Sequence, residues 1–309
     1  MSLNHRARWA LIFNSAANHS RSESAYRAAL DVLRQKVEIE PLQTNAPGHA
    51  VTLARSVAEQ SFDGVIAMGG DGTVNEVVNG LMAVPQPQRP TFGVIPCGSG
   101  NDFAYACGLL PGNVPALAER AVAGKVRPVD IGLISAPGLG RRFFGNSVGM
   151  FIVAAIGIRA QRMTRLHGSA MYLMATIGCI LHDYDSVPVT LTLDGETVER
   201  DLMMLSIGNG PREGGGFLTN PPALNNDGML NYMCASSMPR PTMLRLLPLI
   251  MFGKQVGHRL VTMGTAKQMG IEACDPVPVH VDGEIWARPE DRVMSFEITV
   301  LPNALSVVS

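Results

Sequence analysis

One stretch limits what this chain can become: Asp63 to Gly80, DGVIAMGGDGTVNEVVNG. Val65 to Met68 is a short apolar run bounded by glycines and reads as a buried strand. Gly69-Gly70-Asp71-Gly72 follows as a tight turn. Thr73-Val74-Asn75-Glu76 then opens a helix, with Val74, Val77, Val78 and Leu81 at helical spacing. Thr73 and Glu76 stand three apart, the spacing of a capping box. A helix start points N–H groups and a partial positive charge at whatever lies beyond it, and glycines let the backbone come close, so the corner suits an anion. Asp71 would repel a bare phosphate, which calls for a divalent cation between them. No Gly-Lys-Ser or Gly-Lys-Thr follows, so this is not a Walker loop. An ordinary strand–turn–helix corner is the competing reading.

The same alternation surrounds that corner. Trp9 to Phe13 reads as a strand, Glu23 to Lys36 as a helix, Val37 to Leu42 as a strand and Pro47 to Gln60 as a helix. Phe92 to Ile95 is a fourth strand, and a second glycine turn, Pro96 to Asp102, leads into another helix. Strand alternating with helix implies an α/β domain with a parallel sheet, whose ligands bind beyond the carboxyl ends of the strands. Beyond about Val122 short runs punctuated by Gly, Pro and Asn dominate. Lys125 to Ile134, Arg142 to Val148, Val187 to Leu193, Thr197 to Ile207 and Gly228 to Ala235 are among the expected strands, with helices only around Ser169 to His182 and Pro241 to Phe252. The expected architecture is an N-terminal α/β domain over residues 1–125 and a C-terminal antiparallel β-sandwich domain over residues 126–309, the last residues able to pack back on the first domain.

Several constellations could carry chemistry. The second turn sets Ser99 three residues before Asp102, so the pair reads either as phosphate machinery or as a helix cap. In VHVDGEIW, Asp282 and Glu284 would point to one side if the chain stays extended through Gly283. Yet Asp-Gly between alternating apolar residues is also a hairpin signal, and Asp194-Gly195-Glu196 repeats the setting. Ile207 to Tyr232 is a long Gly-, Asn- and Pro-rich loop. There Asp227-Gly228 is a turn or a ligand for a hard cation. The Met- and Leu-rich runs MYLMATIGCIL and MLRLLPLIMF are core helices or a pocket for an acyl chain. The histidines show no metal-binding spacing.

Composition excludes some classes. A net charge of −1 gives no broad basic field for nucleic acid, and five scattered cysteines with no CxxC suit a reducing compartment. Neither a signal sequence nor an apolar run of membrane-spanning length is visible, which points to a cytoplasmic chain.

In this order and spacing, Gly69-Gly70-Asp71-Gly72-Thr73 with Asn75-Glu76, then Pro96 with Gly98-Ser99-Gly100-Asn101-Asp102, then Asn209-Gly210, Gly214-Gly215-Gly216, Pro222-Ala223, Asp227-Gly228 and Val281-Asp282-Gly283-Glu284 resemble the diacylglycerol kinase catalytic-domain family. Soluble bacterial lipid kinases stand nearest, and sphingosine and ceramide kinases are more distant. The resemblance implies an NAD kinase/diacylglycerol kinase-like fold, with ATP and Mg2+ as cofactors and transfer of the γ-phosphate to a lipid hydroxyl. It implies that Asn14, Thr44, Gly69, Gly70, Asp71, Gly72, Thr73, Val74, Asn75, Glu76, Gly98, Ser99 and Asn101 hold the nucleotide. Glu284 would be the acid/base and Asp282 its companion, with Asp71 and Asp102 organising phosphates and catalytic magnesium. Asp227, with the carbonyls of Leu224 and Met229, would hold a second, structural magnesium. A family Asn-Pro is replaced here by Asn14-Ser15, and an acidic residue after Asp-Gly-x-Leu by Asn231. The expected partner is a lipid substrate at a membrane surface, met transiently through Arg159, Arg162, Arg165 and the Met171 helix. No nucleic acid is expected, and a homodimer is compatible. The alternatives are an NAD kinase-like enzyme for a soluble substrate and a non-catalytic nucleotide or lipid sensor.

Overall fold

The computed structural model describes residues 6–14, 19–163, 168–182 and 185–309. Arg165 and the segment Ser15 to Asn18 lie outside them. The chain divides into one unit of residues 1–129 with 303–309, and a second of residues 130–302.

The first unit alternates β1 (Arg8–Phe13), α1 (His19–Lys36), β2 (Glu38–Gln43), α2 (His49–Glu59), β3 (Gly64–Gly69), α3 (Asp71–Met82), β4 (Thr91–Pro96), α4 (Asp102–Ala106) and α5 (Val114–Ala123). Its strands lie in the order β2-β1-β3-β4, all parallel. Leu11, Ile12, Ile66, Ala67 and Ile95 are fully buried, as the near-continuous apolar runs require when helices cover both faces. Residues 303–309 add to this unit: Val307 pairs in parallel with Phe92, and Arg89 donates to the Ala304 carbonyl at 2.8 Å.

The second unit is built from β5 (Val126–Ala136, begun in the first unit), β6 (Gly140–Phe144), β7 (Ser147–Phe151), α6 (Ile152–Gln161), α7 (Gly168–His182), β8 (Val187–Leu193), β9 (Glu196–Gly208), β10 (Leu230–Ser236), α8 (Arg240–Met251), β11 (Thr262–Ala266), β12 (Gln268–Ala273), β13 (Val279–Val281), β14 (Glu284–Ala287) and β15 (Ser295–Val308), which ends in the first unit. Antiparallel pairing runs β14-β13-β7-β9-β8-β12-β15, with β10 between β9 and β11 and with β6 on β5. One apolar core gathers Phe144, Val148, Leu191, Leu205, Val281 and Phe296. A second, under α6, α7 and α8, gathers Ile152, Cys179, Met203, Met243 and Leu246. The greasy helices therefore pack a core along one face.

Two expectations fail here. Arg142 to Val148 is not one strand: the chain turns at Gly145-Asn146 between β6 and β7. Helix α6 was not expected at all. It follows β7 with no polar break, its first residues Ile152-Val153-Ala154-Ala155-Ile156 are all apolar, and Phe151 makes the corner at φ 59° and ψ −127°. A buried helix of that composition carries the same signal as a buried strand.

Candidate active site

In the first unit the nucleotide-binding candidates collect at the carboxyl edge of the parallel sheet. Phe13 pairs with both Gln43 and Met68, and Gly69 pairs with Pro96, so Asn14, Thr44, Gly70 and Cys97 leave neighbouring strand ends. The Thr44 amide donates to the Phe13 carbonyl at 2.9 Å, which ties the first two ends together. The two glycine turns touch: a Cβ on Gly98 would lie 2.4 Å from the Gly70 Cα, so the approach needs glycine.

Asp71 joins the turns. Its carboxylate accepts the amides of Asn101 and Asp102, each at 2.7 Å. Asn101 sits in the left-handed region at φ 56°, its Oδ1 accepting the Gly98 amide and its Nδ2 donating to the Gly98 carbonyl. The second turn is thus closed on itself and clamped to the first. Helix α3 begins behind this clamp, and its opening amides have no carbonyl four residues earlier within the helix, so they remain the natural anion donors of this edge.

The capping boxes expected from spacing do not form. Helix α3 starts at Asp71 with Gly70 as its cap residue and no side-chain cap bond, and α4 starts at Asp102 behind Asn101, again with no side-chain cap bond. Glu76 is used elsewhere: its carboxylate accepts the amides of Gly48 and Ala50, at 2.8 and 2.9 Å, and so caps α2. Asn75 is buried and its side-chain oxygen accepts from the Asn79 amide group one turn on in α3. Ser99 is exposed on the second turn, Thr73 is half-buried and Val74 is buried.

In the second unit Asp282 and Glu284 do not form a carboxylate pair on one side. Val281 pairs with Glu284, and Asp282 and Gly283 occupy φ 48° and 82°, both positive, as a two-residue hairpin of the primed kind demands. The Asp282 carboxylate accepts the amides of Gly145, Asn146 and Ser147 at 2.9, 3.0 and 2.8 Å, so it pins the turn before β7. Asp194 does the same with Lys267 and Gln268 from an identical hairpin. Glu284, the first residue of β14, stays half-exposed and pairs with the Arg142 guanidinium from β6.

Around Asp227, Oδ1 accepts the Met229 amide at 3.0 Å, while buried Asp130 accepts the Gly228 amide at 2.7 Å. The two carboxylates thus hold amides of consecutive residues, and carboxylate oxygen is the donor type that a hard cation such as magnesium takes. The Asn231 amide nitrogen is buried and has no hydrogen-bond partner among the described residues.

Residues 8–134 match the model of the diacylglycerol kinase catalytic domain, and residues 146–309 match that of the YegS C-terminal NAD kinase beta sandwich-like domain. A diacylglycerol kinase of Mycobacterium tuberculosis is 31% identical over 96% of this chain and 93% of its own length. The chain belongs to the diacylglycerol kinase family. Within that family, the Bacillus subtilis diacylglycerol kinase is 29% identical to this kinase over 78% of the chain and 77% of its own. A crystal structure described as a diacylglycerol kinase from Bacillus anthracis matches with a TM-score of 0.80 over 99% of this chain and 98% of that one; at 24% identity it speaks for the fold alone.

The kinase also holds residues that sequence reasoning passed over. His280, set aside with the other histidines, is buried with its Nε2 2.9 Å from the Glu213 carboxylate, and its Nδ1 accepts the Gly283 amide of the Glu284 hairpin. Burial pushes the Glu213 carboxyl up, but the hydrogen bonds from His280 and from the Ser206 and Ser147 hydroxyls outweigh it and leave it below the ordinary carboxylate range. Arg142 and Asp130 complete the set. A signal for His280 exists in the sequence, since Val-His-Val in a strand buries the histidine's face as firmly as the valines'. Asp130 and Glu213 carry none beyond an acid set in apolar or glycine-rich surroundings.

Proposed function

We propose that the protein transfers the γ-phosphate of ATP to the hydroxyl of a lipid, with diacylglycerol as the first candidate. The observation that carries this reading is the clamp at the first unit's sheet edge, where Asp71 holds two mutually touching glycine turns beside the start of α3. Phosphoryl transfer asks a protein mainly for positioning and for groups that offset charge. The amides of the two turns and of α3 bind and orient the phosphates, with Thr44 and Asn14 beside them. The carboxylates of Asp71 and Asp102 would hold magnesium, which supplies charge neutralisation at the transferring group when bound. Glu284 accepts the proton of the lipid hydroxyl, its carboxylate oriented by Arg142 and its hairpin by Asp282. Asp130, Asp227 and the carbonyls of Leu224 and Met229 would hold a second magnesium with a structural task.

Among the described residues no helix is long and apolar enough to cross a membrane. The proposed lipid acceptor is met transiently at a membrane surface. Purified protein incubated with radiolabelled ATP, magnesium and a total lipid extract tests the reading. Label in a lipid whose unphosphorylated form carries a free hydroxyl supports it. Label confined to a dinucleotide, or ATP binding with no labelled product at all, refutes it.

A further inference from the structure

Helix α8 is apolar on both sides. Met243, Leu246, Leu247 and Ile250 are buried in the core it shares with α6 and α7. On the opposite side Leu244, Pro248 and, at the C-cap, Phe252 are exposed at intervals of one turn, and Val256 is exposed in the turn that follows. Phe252 is 68% exposed, Val256 54% and Leu244 37%. With the other side of α8 already buried, this exposed apolar row has no cover among the described residues.

The projection is built rather than loose. The turn after α8 is clamped by Gln255, fully buried, whose Nε2 donates to the carbonyls of Leu218 and Thr219 at 2.6 and 3.1 Å. Gly253 turns at φ 67° against Pro221 and Leu218. Phe252 and Val256 are thus exposed in a turn that is itself anchored.

Charge states what the cover is. From Gly228 to Ile271 the sequence holds no Asp or Glu, while Arg240, Arg245, Lys254, Arg259 and Lys267 all fall within it. In a chain whose net charge is −1 this is a marked local excess. Arg245 and Lys254 flank the row and Arg259 follows Val256, all three exposed. Arg159, expected near the Met171 helix, lies with its guanidinium against Gly178 of α7.

We infer that the row Leu244–Pro248–Phe252–Val256, with Arg245, Lys254 and Arg259 beside it, is a docking surface for a bilayer carrying anionic headgroups. The apolar row enters the interface while the basic side chains meet the headgroups. A second copy of the chain is the poorer occupant. An isologous contact on this face would bring the same cations against each other. The inference deepens the lipid kinase reading and rests on it for its purpose, though not for its test.

The test is co-sedimentation with phosphatidylcholine vesicles, with and without phosphatidylglycerol, alongside turnover on a short-chain lipid in detergent micelles. The wild-type protein should sediment with the anionic vesicles and be released by salt. Leu244→Ser with Phe252→Ser should weaken partitioning by at least about tenfold. Arg245→Glu, Lys254→Glu and Arg259→Glu together should weaken it by about a hundredfold or more, given about 1 kcal/mol per basic side chain at an anionic surface. Both variants should keep the wild-type melting temperature and micellar turnover. Equal wild-type sedimentation with neutral vesicles, no sedimentation at low salt, or variants that sediment like wild type would overturn the inference. So would variants that turn a dimer into a monomer while vesicle binding persists. Absent micellar turnover in wild type would count against the kinase reading alone, since vesicle binding needs no catalysis.

Discussion

The Asp71 carboxylate accepts the backbone N–H of Asp102 at 2.7 Å, with the Asn101 amide on its other oxygen. A residue that the sequence offers as a magnesium organiser is therefore first of all a brace between two loops. Charge-assisted hydrogen bonds of this kind are worth about 1.5–3 kcal/mol each. Asp71→Ala should lose at least ~100-fold in turnover and also lower the melting temperature. Asp71→Asn, which keeps one acceptor oxygen, should recover part of the stability. Thermal melts and kinetics on both variants check this; an Asp71→Ala protein that melts like wild type would leave the brace without energetic weight.

The close approach of the turns gives a second expectation. A Cβ at Gly100 would lie 2.4 Å from Asp71 Oδ2, and one at Gly98 the same distance from the Gly70 Cα. Gly98→Ala and Gly100→Ala should each raise the KM for ATP far more than the KM for lipid, because they part the turns without touching Glu284. Equal effects on both KM values would show that the turns do not form the nucleotide's seat.

The twin hairpins separate structure from function. Asp194 and Asp282 occupy the same turn position, both at φ 48°, and both carboxylates hold backbone amides of a neighbouring segment. Replacing either by Ala should cost about 1–3 kcal/mol, from amides left without acceptors and strain at positive φ. Only Asp282→Ala should depress turnover, since only its hairpin carries Glu284. Glu284→Gln should lose at least ~100-fold in kcat while the melting temperature and ATP affinity hold. Urea melts and steady-state kinetics on the three variants test the division. An Asp194→Ala enzyme as crippled as Asp282→Ala would undo it.

The buried Glu213–His280 pair makes stability depend on pH. The folded-state carboxyl of Glu213 lies below its ordinary value, so the unfolded chain binds the proton more readily. Its contribution is therefore complete above the unfolded carboxylate range, and it is lost as pH falls through the folded value. Wild type should lose more melting temperature between neutral and acid pH than Glu213→Gln does. At neutral pH, removal of one partner of a buried pair costs about 3–5 kcal/mol, so His280→Ala should be strongly destabilised. Parallel pH slopes for wild type and Glu213→Gln would exclude this origin.

How much of this the chain declares in advance depends on the range of the interaction. The α/β alternation, both glycine turns and the Asp-Gly hairpins are local, and each shows in a few consecutive residues. The bracing partners are not local. Glu76 lies three residues from Thr73, which suggests a capping box, but its oxygens reach the amides of Gly48 and Ala50 on another helix. Asp282 reaches the turn before β7, and Glu213 reaches His280 from a distant loop. Spacing within a helix or strand shows where a carboxylate sits, and only the tertiary fold decides which amides it meets.

Glu76 offers the cleanest separation of binding from scaffolding. If its task is to cap α2, Glu76→Ala should cost about 0.5–2 kcal/mol, the ordinary range for a lost helix cap. ATP affinity and kcat should then stay at wild-type values at a temperature where the variant is fully folded. Glu76→Gln should behave more mildly, because its one carbonyl oxygen can still accept one of the two amides. Calorimetric melting paired with ATP titration reads both quantities on the same samples. A Glu76→Ala protein that melts normally but has lost its affinity for ATP would return this residue to the nucleotide site and remove it from the scaffold.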